Sequence, residues 1–283
     1  MDLYYSPGAC SIGIHVLLEE IGKPYELHKV SLKDGEQYKP EFLAINPKAK
    51  VPTLVREDGT VLTEFPAIAT WLALTNREKQ LLPESPEAMG RALEALDYIV
   101  ATVHMQGFSR IFRPGNFAPN EADHEAVKAK GREIFEKGLG VMNKALEGRD
   151  YLVGSFSIAD AALFYVEFWG ADRLHMTLPS NCAAHYARMK ARPAVQKVLQ
   201  AEGFGPERRI EDELKGAAAC TPHEPVYRSP DLPLGRVVDH VPLSGQNGEG
   251  ATSDLLMQAA RLLVRLHDRV NIASDDGERH PQP

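Results

Sequence analysis

The chain has 283 residues, a formal net charge of -7, 43% hydrophobic residues and 25% charged residues. That is the composition of an ordinary soluble protein, long enough for one or two domains with a sizeable core. The acidic balance excludes a basic nucleic-acid-binding surface, and no apolar stretch approaches the length of a membrane span. Cys10, Cys182 and Cys220 are odd in number and far apart, so they suggest no disulfide framework, and no Cys/His spacing suggests a metal site. Asp2, Tyr4 and Tyr5 stand where a signal peptide would need basic residues and an apolar run. The expectation is a reduced, cytoplasmic protein with no metal, no nucleic-acid partner and no integral membrane association.

Leu3-Tyr4-Tyr5 reads as a short apolar strand that turns through Ser6-Pro7-Gly8. Apolar residues at 14, 17, 18 and 21 then follow at helical spacing, with Ser11 as the expected N-cap. Cys10 falls just before the first turn, where unpaired amide N–H groups and the helix dipole favour a thiolate or another anion. A lone cysteine at a strand–helix corner is usually a small buried residue. This position makes Cys10 a candidate for chemistry instead.

Gly22-Lys23-Pro24 ends that helix, and residues 25–30 alternate like a half-buried strand. A polar loop over 33–41 leads to a short helical piece around 41–44 and then to Asn46-Pro47-Lys48-Ala49-Lys50-Val51-Pro52. Pro52, directly before a strand, marks a turn or an edge position, and a cis Val51–Pro52 bond is expected. Asp58-Gly59 is a favoured hairpin pair and joins strand 53–56 to strand 61–63. Pro66 suits the first turn of a helix opened by residues 63–68. Strand, helix, strand, helix, strand, strand, helix within about 75 residues describes a small α/β domain with a mixed sheet.

Residues 76–87 read as a linker, after which strand signals vanish. Residues 88–112, 121–147, 157–172 and 183–202 carry helical periodicity with short breaks, as in an all-helical domain. In Phe156-Ser157-Ile158-Ala159-Asp160-Ala161, Ser157 and Asp160 form an acidic variant of the capping box. Beyond Gly205 the chain is rich in proline, with Tyr227 its one aromatic residue, and is expected to lack order through about residue 250. Within it, Leu255, Leu256, Ala259, Leu262, Leu263, Leu266 and Val270 form an amphipathic helical stripe over about 253–270. The expected domains are therefore 1–80, 86–205 and a low-order tail over 206–283.

Tyr5-Ser6-Pro7-Gly8-Ala9-Cys10-Ser11, Leu43-Ala44-Ile45-Asn46-Pro47-Lys48, Val51-Pro52, Leu62-Thr63-Glu64, the box at Phe156–Asp160 and the closing Ala201-Glu202-Gly203 stand in one order over residues 1–205. In that order they resemble the cytosolic glutathione S-transferases, and the cysteine resembles that of the bacterial beta class. The resemblance implies a thioredoxin-like N-terminal domain, an α-helical C-terminal domain and a homodimer, with glutathione as co-substrate. It places Cys10 nearest the glutathione sulfur, with His104 as the second catalytic candidate. Val51 would pair its backbone with the cysteinyl unit of glutathione, while Glu64 and the backbone N–H of Phe65 would face its γ-glutamyl end. Lys33 is a candidate basic contact. Asp97 lies seven residues before His104 and so on its face, and it falls where the family often has an asparagine contacting glutathione across the dimer. Ala9, Phe108, Ile111, Phe112 and Trp169 are the expected walls of an apolar acceptor pocket. Two positions depart from the pattern: Phe65 stands where many relatives carry serine or glycine, and Met105 where beta-class enzymes commonly carry lysine.

The first functional expectation is conjugation of the glutathione thiolate to small, largely apolar electrophiles. The second is glutathione-dependent monothiol disulfide exchange, or a reductive dehalogenase or lyase-type reaction through Cys10. A non-catalytic binding protein of the same fold is the third. No C-x-x-C occurs, since Ser11, Ile12 and Gly13 follow Cys10, which disfavours a dithiol cycle.

Overall fold

The structure is a computed structural model and describes residues 1–205. The expected tail over 206–283 and its stripe over 253–270 lie outside the described residues. Strand β1 (Asp2–Tyr5) is followed by α1 (Ser11–Ile21), β2 (Glu26–Lys29), α2 (Pro40–Leu43), β3 (Thr53–Val55), β4 (Val61–Thr63) and α3 (Phe65–Thr75). The four strands form one sheet in the order β2-β1-β3-β4, with β1 parallel to β2 and antiparallel to β3. Leu3 lies opposite Leu54, and Leu54 opposite Leu62. Leu3, Tyr5 and Leu54 are buried in the same core as the apolar faces of α1 and α3. On the other face Tyr4 stacks on His28 at 4.6 Å and packs against a small cluster of Val30, Phe42 and Val51. This is the thioredoxin-like arrangement.

The local signals behave largely as their chemistry dictates. The hairpin closes around Gly59 at φ 78, and the Val51–Pro52 bond is cis. Strand β2 is an edge strand with Leu27 half-buried and its neighbours exposed, less covered than its alternation implied. Ser11 does not cap α1. Its hydroxyl accepts the Ser6 N–H at 3.2 Å and donates to the Ser6 carbonyl at 3.3 Å, closing the preceding turn. The cap position falls to Cys10. The stretch 76–87 is no free linker either, because Leu81 and Leu82 are buried and the Leu81 carbonyl accepts the Ile158 N–H at 2.9 Å.

The second part is helical. Helix α4 (Pro86–Asp97) continues through a widened π-helical segment, Tyr98–Phe108, into α5 (Ser109–Phe112). Then come α6 (His124–Ala145), α7 (Ile158–Phe168) with a π-helical end over Trp169–Arg173, α8 (Ser180–Ala191) and α9 (Pro193–Ala201). The single helix expected over 183–202 is two, because Pro193 cannot continue α8 and instead starts α9.

Every residue of α7 is buried, as expected for a helix that is apolar nearly all round. Its start is fixed by the acidic capping box. The Ser157 N–H and hydroxyl both donate to Asp160 Oδ2 at 2.8 Å, while Asp160 Oδ1 accepts the Leu152 N–H at 2.9 Å. One apolar core runs from Leu3 and α1 through α7 to Val195 and Leu199 of α9. The helical part thereby supplies the back wall of the cysteine turn.

Candidate active site

The Pro7-Gly8 turn between β1 and α1 is held from behind. Gly8 donates its N–H to Glu202 Oε2 at 2.7 Å, and its carbonyl accepts the Trp169 indole N–H at 2.8 Å. The Pro7 carbonyl accepts Arg173 Nη2 at 3.2 Å. Gly8 has φ +65, and a Cβ there would collide with the Arg173 guanidinium and approach the Phe204 ring to 2.8 Å. Only glycine fits both the left-handed backbone and the crowding. Glu202 also takes a 2.9 Å contact from His15 Nδ1, and both side chains are fully enclosed.

Cys10, half-buried at the end of this turn, donates its thiol to the Val51 carbonyl at 3.5 Å. Burial pushes its pKa up to about 12, and the Glu64 charge adds to that; N–H groups of Cys10 and Ser11 and the Lys50 cation pull the other way. Cys10 is therefore a neutral thiol in the free protein. The helix start does favour the anion, but desolvation outweighs the dipole and amide contribution.

The loop carrying Lys48, Lys50 and Val51 is shaped by buried Asn46. Its Nδ2 donates to the Lys50 carbonyl and to Thr53 Oγ1, each at 2.8 Å, and its Oδ1 accepts the Lys48 N–H at 3.1 Å. Glu64, at the entry to α3, is held at φ 70, where non-glycine residues are strained. Its carboxylate pairs with exposed Lys48 Nζ at 2.9 Å. Next to it the Phe65 ring turns inward, 5.3 Å from the Tyr165 ring. A Cβ on Gly13 would meet that ring at 2.8 Å and the Ala161 carbonyl at 2.6 Å, so Phe65 and Gly13 fit as a pair.

His104 lies in the π-helical segment, half-buried, with Nδ1 3.3 Å from the Tyr165 hydroxyl. Burial, reinforced by the Lys50 cation, holds its pKa down to about 4, so the imidazole is neutral. Its ring stands edge-on to Trp169 at 4.7 Å. Trp169 stacks on Phe108 at 4.0 Å, and Phe108 on Phe112 at 5.6 Å, a three-ring column ending at exposed Phe112. Ile111 packs half-buried near this column's core, whereas Ala9 packs on the Val30, Phe42 and Val51 cluster.

The structure thus gathers Cys10, Val51, Glu64, Phe65, His104, Phe108 and Trp169 around the turn. Lys33 is exposed in the loop after β2. Asp97 is also exposed, at the end of α4 just before the π-helical segment that carries His104. Tyr165, Lys50 and Glu202 are the residues that sequence reasoning missed. Tyr165 sits in a helix that is buried on every side, and the other two acquire their meaning only across long sequence distances. A groove between α4 and α6, walled by Arg91, Tyr98, Met142 and Leu152, lies apart from this site.

A family model for the glutathione S-transferase N-terminal domain matches residues 8–75, from the glycine turn to the end of α3. Glutathione S-transferase GstA of Escherichia coli O157:H7 is 39% identical over 212 residues, covering 72% of this chain and all of that protein. The chain belongs to the glutathione S-transferase family. Solved structures agree. A sphingomonad glutathione S-transferase complexed with glutathione is 34% identical with a TM-score of 0.63, covering 72% of this chain and all of the other. The bacterial beta class glutathione S-transferase of Sphingomonas chungbukensis is 30% identical over the same shares, with a TM-score of 0.62. Within this family the present site combines a cysteine at the first turn with Phe65 folded into the core behind it.

Proposed function

We propose that the protein is a glutathione S-transferase that joins the glutathione thiolate to small, largely apolar electrophiles. One observation carries this reading: the Cys10 thiol meets the Val51 carbonyl beside the cis peptide at one partly open turn, and Trp169, bonded to that turn through Gly8, joins it to the His104 imidazole and an aromatic column. An extended peptide can pair with the Val51 backbone, and its γ-glutamyl carboxylate can meet the N–H groups that open α3 at Phe65. The inward ring of Phe65 leaves that recognition to the backbone and to cations of the adjoining loop, Lys48 and Lys50, with Lys33 as a further contact. In the reaction the thiol proton leaves to solvent and the sulfur lone pair attacks the electrophilic carbon. A C–S bond forms, and the leaving group departs with its electron pair.

Phe108, Phe112 and Trp169 offer an apolar wall to the acceptor, which supports flat aromatic electrophiles. A homodimer in the cytoplasm, with Asp97 reaching the neighbouring subunit's ligand, and a role in detoxification complete the proposal. No helix among the described residues is long and apolar enough to cross a membrane. A second reading, monothiol disulfide exchange through Cys10, is favoured by the same half-buried thiol. Parallel turnover of an aryl halide and a glutathionyl mixed disulfide, with light scattering, tests the set. Turnover of neither compound sinks both enzymatic readings and leaves a binding protein; a fully active monomer removes the role of Asp97.

A further inference from the structure

Tyr165 is fully buried on α7, and its hydroxyl has one polar partner among the described residues, His104 Nδ1 at 3.3 Å. Around it stand Phe65 at 5.3 Å, Trp169 at 4.8 Å and the His104 ring at 5.6 Å. Among the described residues the phenol makes no other hydrogen bond. Burial raises the Tyr165 pKa well above 10, so the O–H is retained throughout the working range. A buried O–H without an acceptor costs more than the bond it forgoes. The phenol must therefore donate to Nδ1, and the reverse assignment, Nδ1–H donating to the phenol oxygen, would orphan the phenol hydrogen.

A neutral imidazole has one N–H. If Nδ1 accepts, the proton sits on Nε2. Tyr165 is wholly enclosed while His104 is half-buried, so the accessible edge of the imidazole is the edge away from the tyrosine. We propose that Tyr165 is a positioning residue that locks His104 in the Nε2–H tautomer and so turns its open edge into a fixed hydrogen-bond donor. This rests on the reading that glutathione sulfur binds beside Cys10 and His104. On that reading the Nε2–H group donates to the bound thiolate and stabilises the anion, and His104 takes no proton from the thiol. The titratable and charged groups around the imidazole are Tyr165 from α7, Lys50 from the loop before β3, and Cys10, which lies near Tyr165.

The experiment is nitrogen NMR of histidine-labelled full-length protein without ligand, for wild type and Tyr165→Phe. The wild type is expected to show a protonated Nε2 and a bare, hydrogen-bonded Nδ1 at His104. The phenylalanine variant, which keeps the ring packing and loses one oxygen, is expected to show a mixture of both tautomers. With glutathione bound, the thiolate absorbance of Tyr165→Phe should titrate at higher pH than that of wild type. Its kcat for conjugation should fall about fivefold to tenfold with KM for glutathione little changed. A wild-type His104 protonated at Nδ1, or an unchanged tautomer in Tyr165→Phe, overturns the proposal. The tautomer is read without substrate, so this result is separate from any failure of the transferase reading, and the wild-type spectrum decides the matter even if the variant folds poorly.

Discussion

Glu202 Oε2 accepts the Gly8 N–H at 2.7 Å across 194 residues of sequence, tying the cysteine turn to the chain just beyond α9. The same carboxylate meets His15 Nδ1 at 2.9 Å, so one buried group orders both the turn and the helix that follows it. Glu202→Ala removes the acceptor and leaves a buried N–H and a buried imidazole without partners. The expected loss is about 3 kcal/mol of stability, with a higher KM for glutathione because the turn loosens. Urea unfolding and steady-state kinetics check it; unchanged values for both would show that the carboxylate is a bystander.

The elements that sequence reasoning found are those fixed by neighbours within a few residues. Asp58-Gly59 closes its hairpin, Val51–Pro52 is cis, and Ser157 with Asp160 starts α7, because each depends on local backbone chemistry. The turn at Cys10 was legible for the same reason. Tyr165 was not, since a helix buried on every side gives no face that distinguishes a polar hydroxyl with work to do from core packing. The π-helical stretch over Tyr98–Phe108 was not legible either, because periodicity assumes 3.6 residues per turn. Cys10 itself was found, but its burial was not legible, because that depends on residues far from it in the sequence.

Phe65 shows how a departure from the family pattern is absorbed. Its ring is 4% exposed and fills the space that Gly13 leaves open. Phe65→Ser, the residue common in relatives, should therefore cost roughly 3–5 kcal/mol despite restoring a hydroxyl near the ligand. Thermal melting checks the direction. A variant as stable as wild type would mean that the ring contributes little to packing.

His185 lies between two carboxylates, with Nδ1 2.8 Å from Glu167 Oε2 and Nε2 3.3 Å from Asp160 Oδ1, all fully enclosed. Burial alone would push the imidazole pKa down and the Glu167 carboxyl up. Two carboxylates around one ring favour the imidazolium, and they hold its pKa up to about 9. A folded pKa above the ordinary value of 6.5 gives stability that is fully present below 6.5 and lost as pH rises through about 9. The expected loss over that window is of the order of 3 kcal/mol. Denaturant midpoints measured across the range should fall, and His185→Gln should be less stable but much flatter. A wild-type midpoint that does not move would place the neutral ring in the core.

The last prediction concerns the division of labour at the cysteine. With burial pushing its pKa up to about 12, Cys10 is protonated near neutral pH and is a poor nucleophile there. Alkylation by iodoacetamide should be slow near neutral pH compared with free glutathione, and should still be rising with pH beyond about 10. In conjugation the attacking sulfur is that of glutathione, and Cys10 contributes at most the hydrogen bond it now gives to the Val51 carbonyl. Redirected to a bound thiolate, that bond is worth about 1 kcal/mol, or roughly fivefold in rate. Cys10→Ala should therefore keep conjugation of an aryl halide within about tenfold of wild type. Disulfide exchange with a glutathionyl mixed disulfide has no substitute for the Cys10 sulfur and should fall to background. Assaying both reactions on the same two preparations separates the roles. A mutant that keeps full disulfide exchange removes Cys10 as a redox nucleophile, and one that loses conjugation altogether makes it the chief stabiliser of the glutathione thiolate.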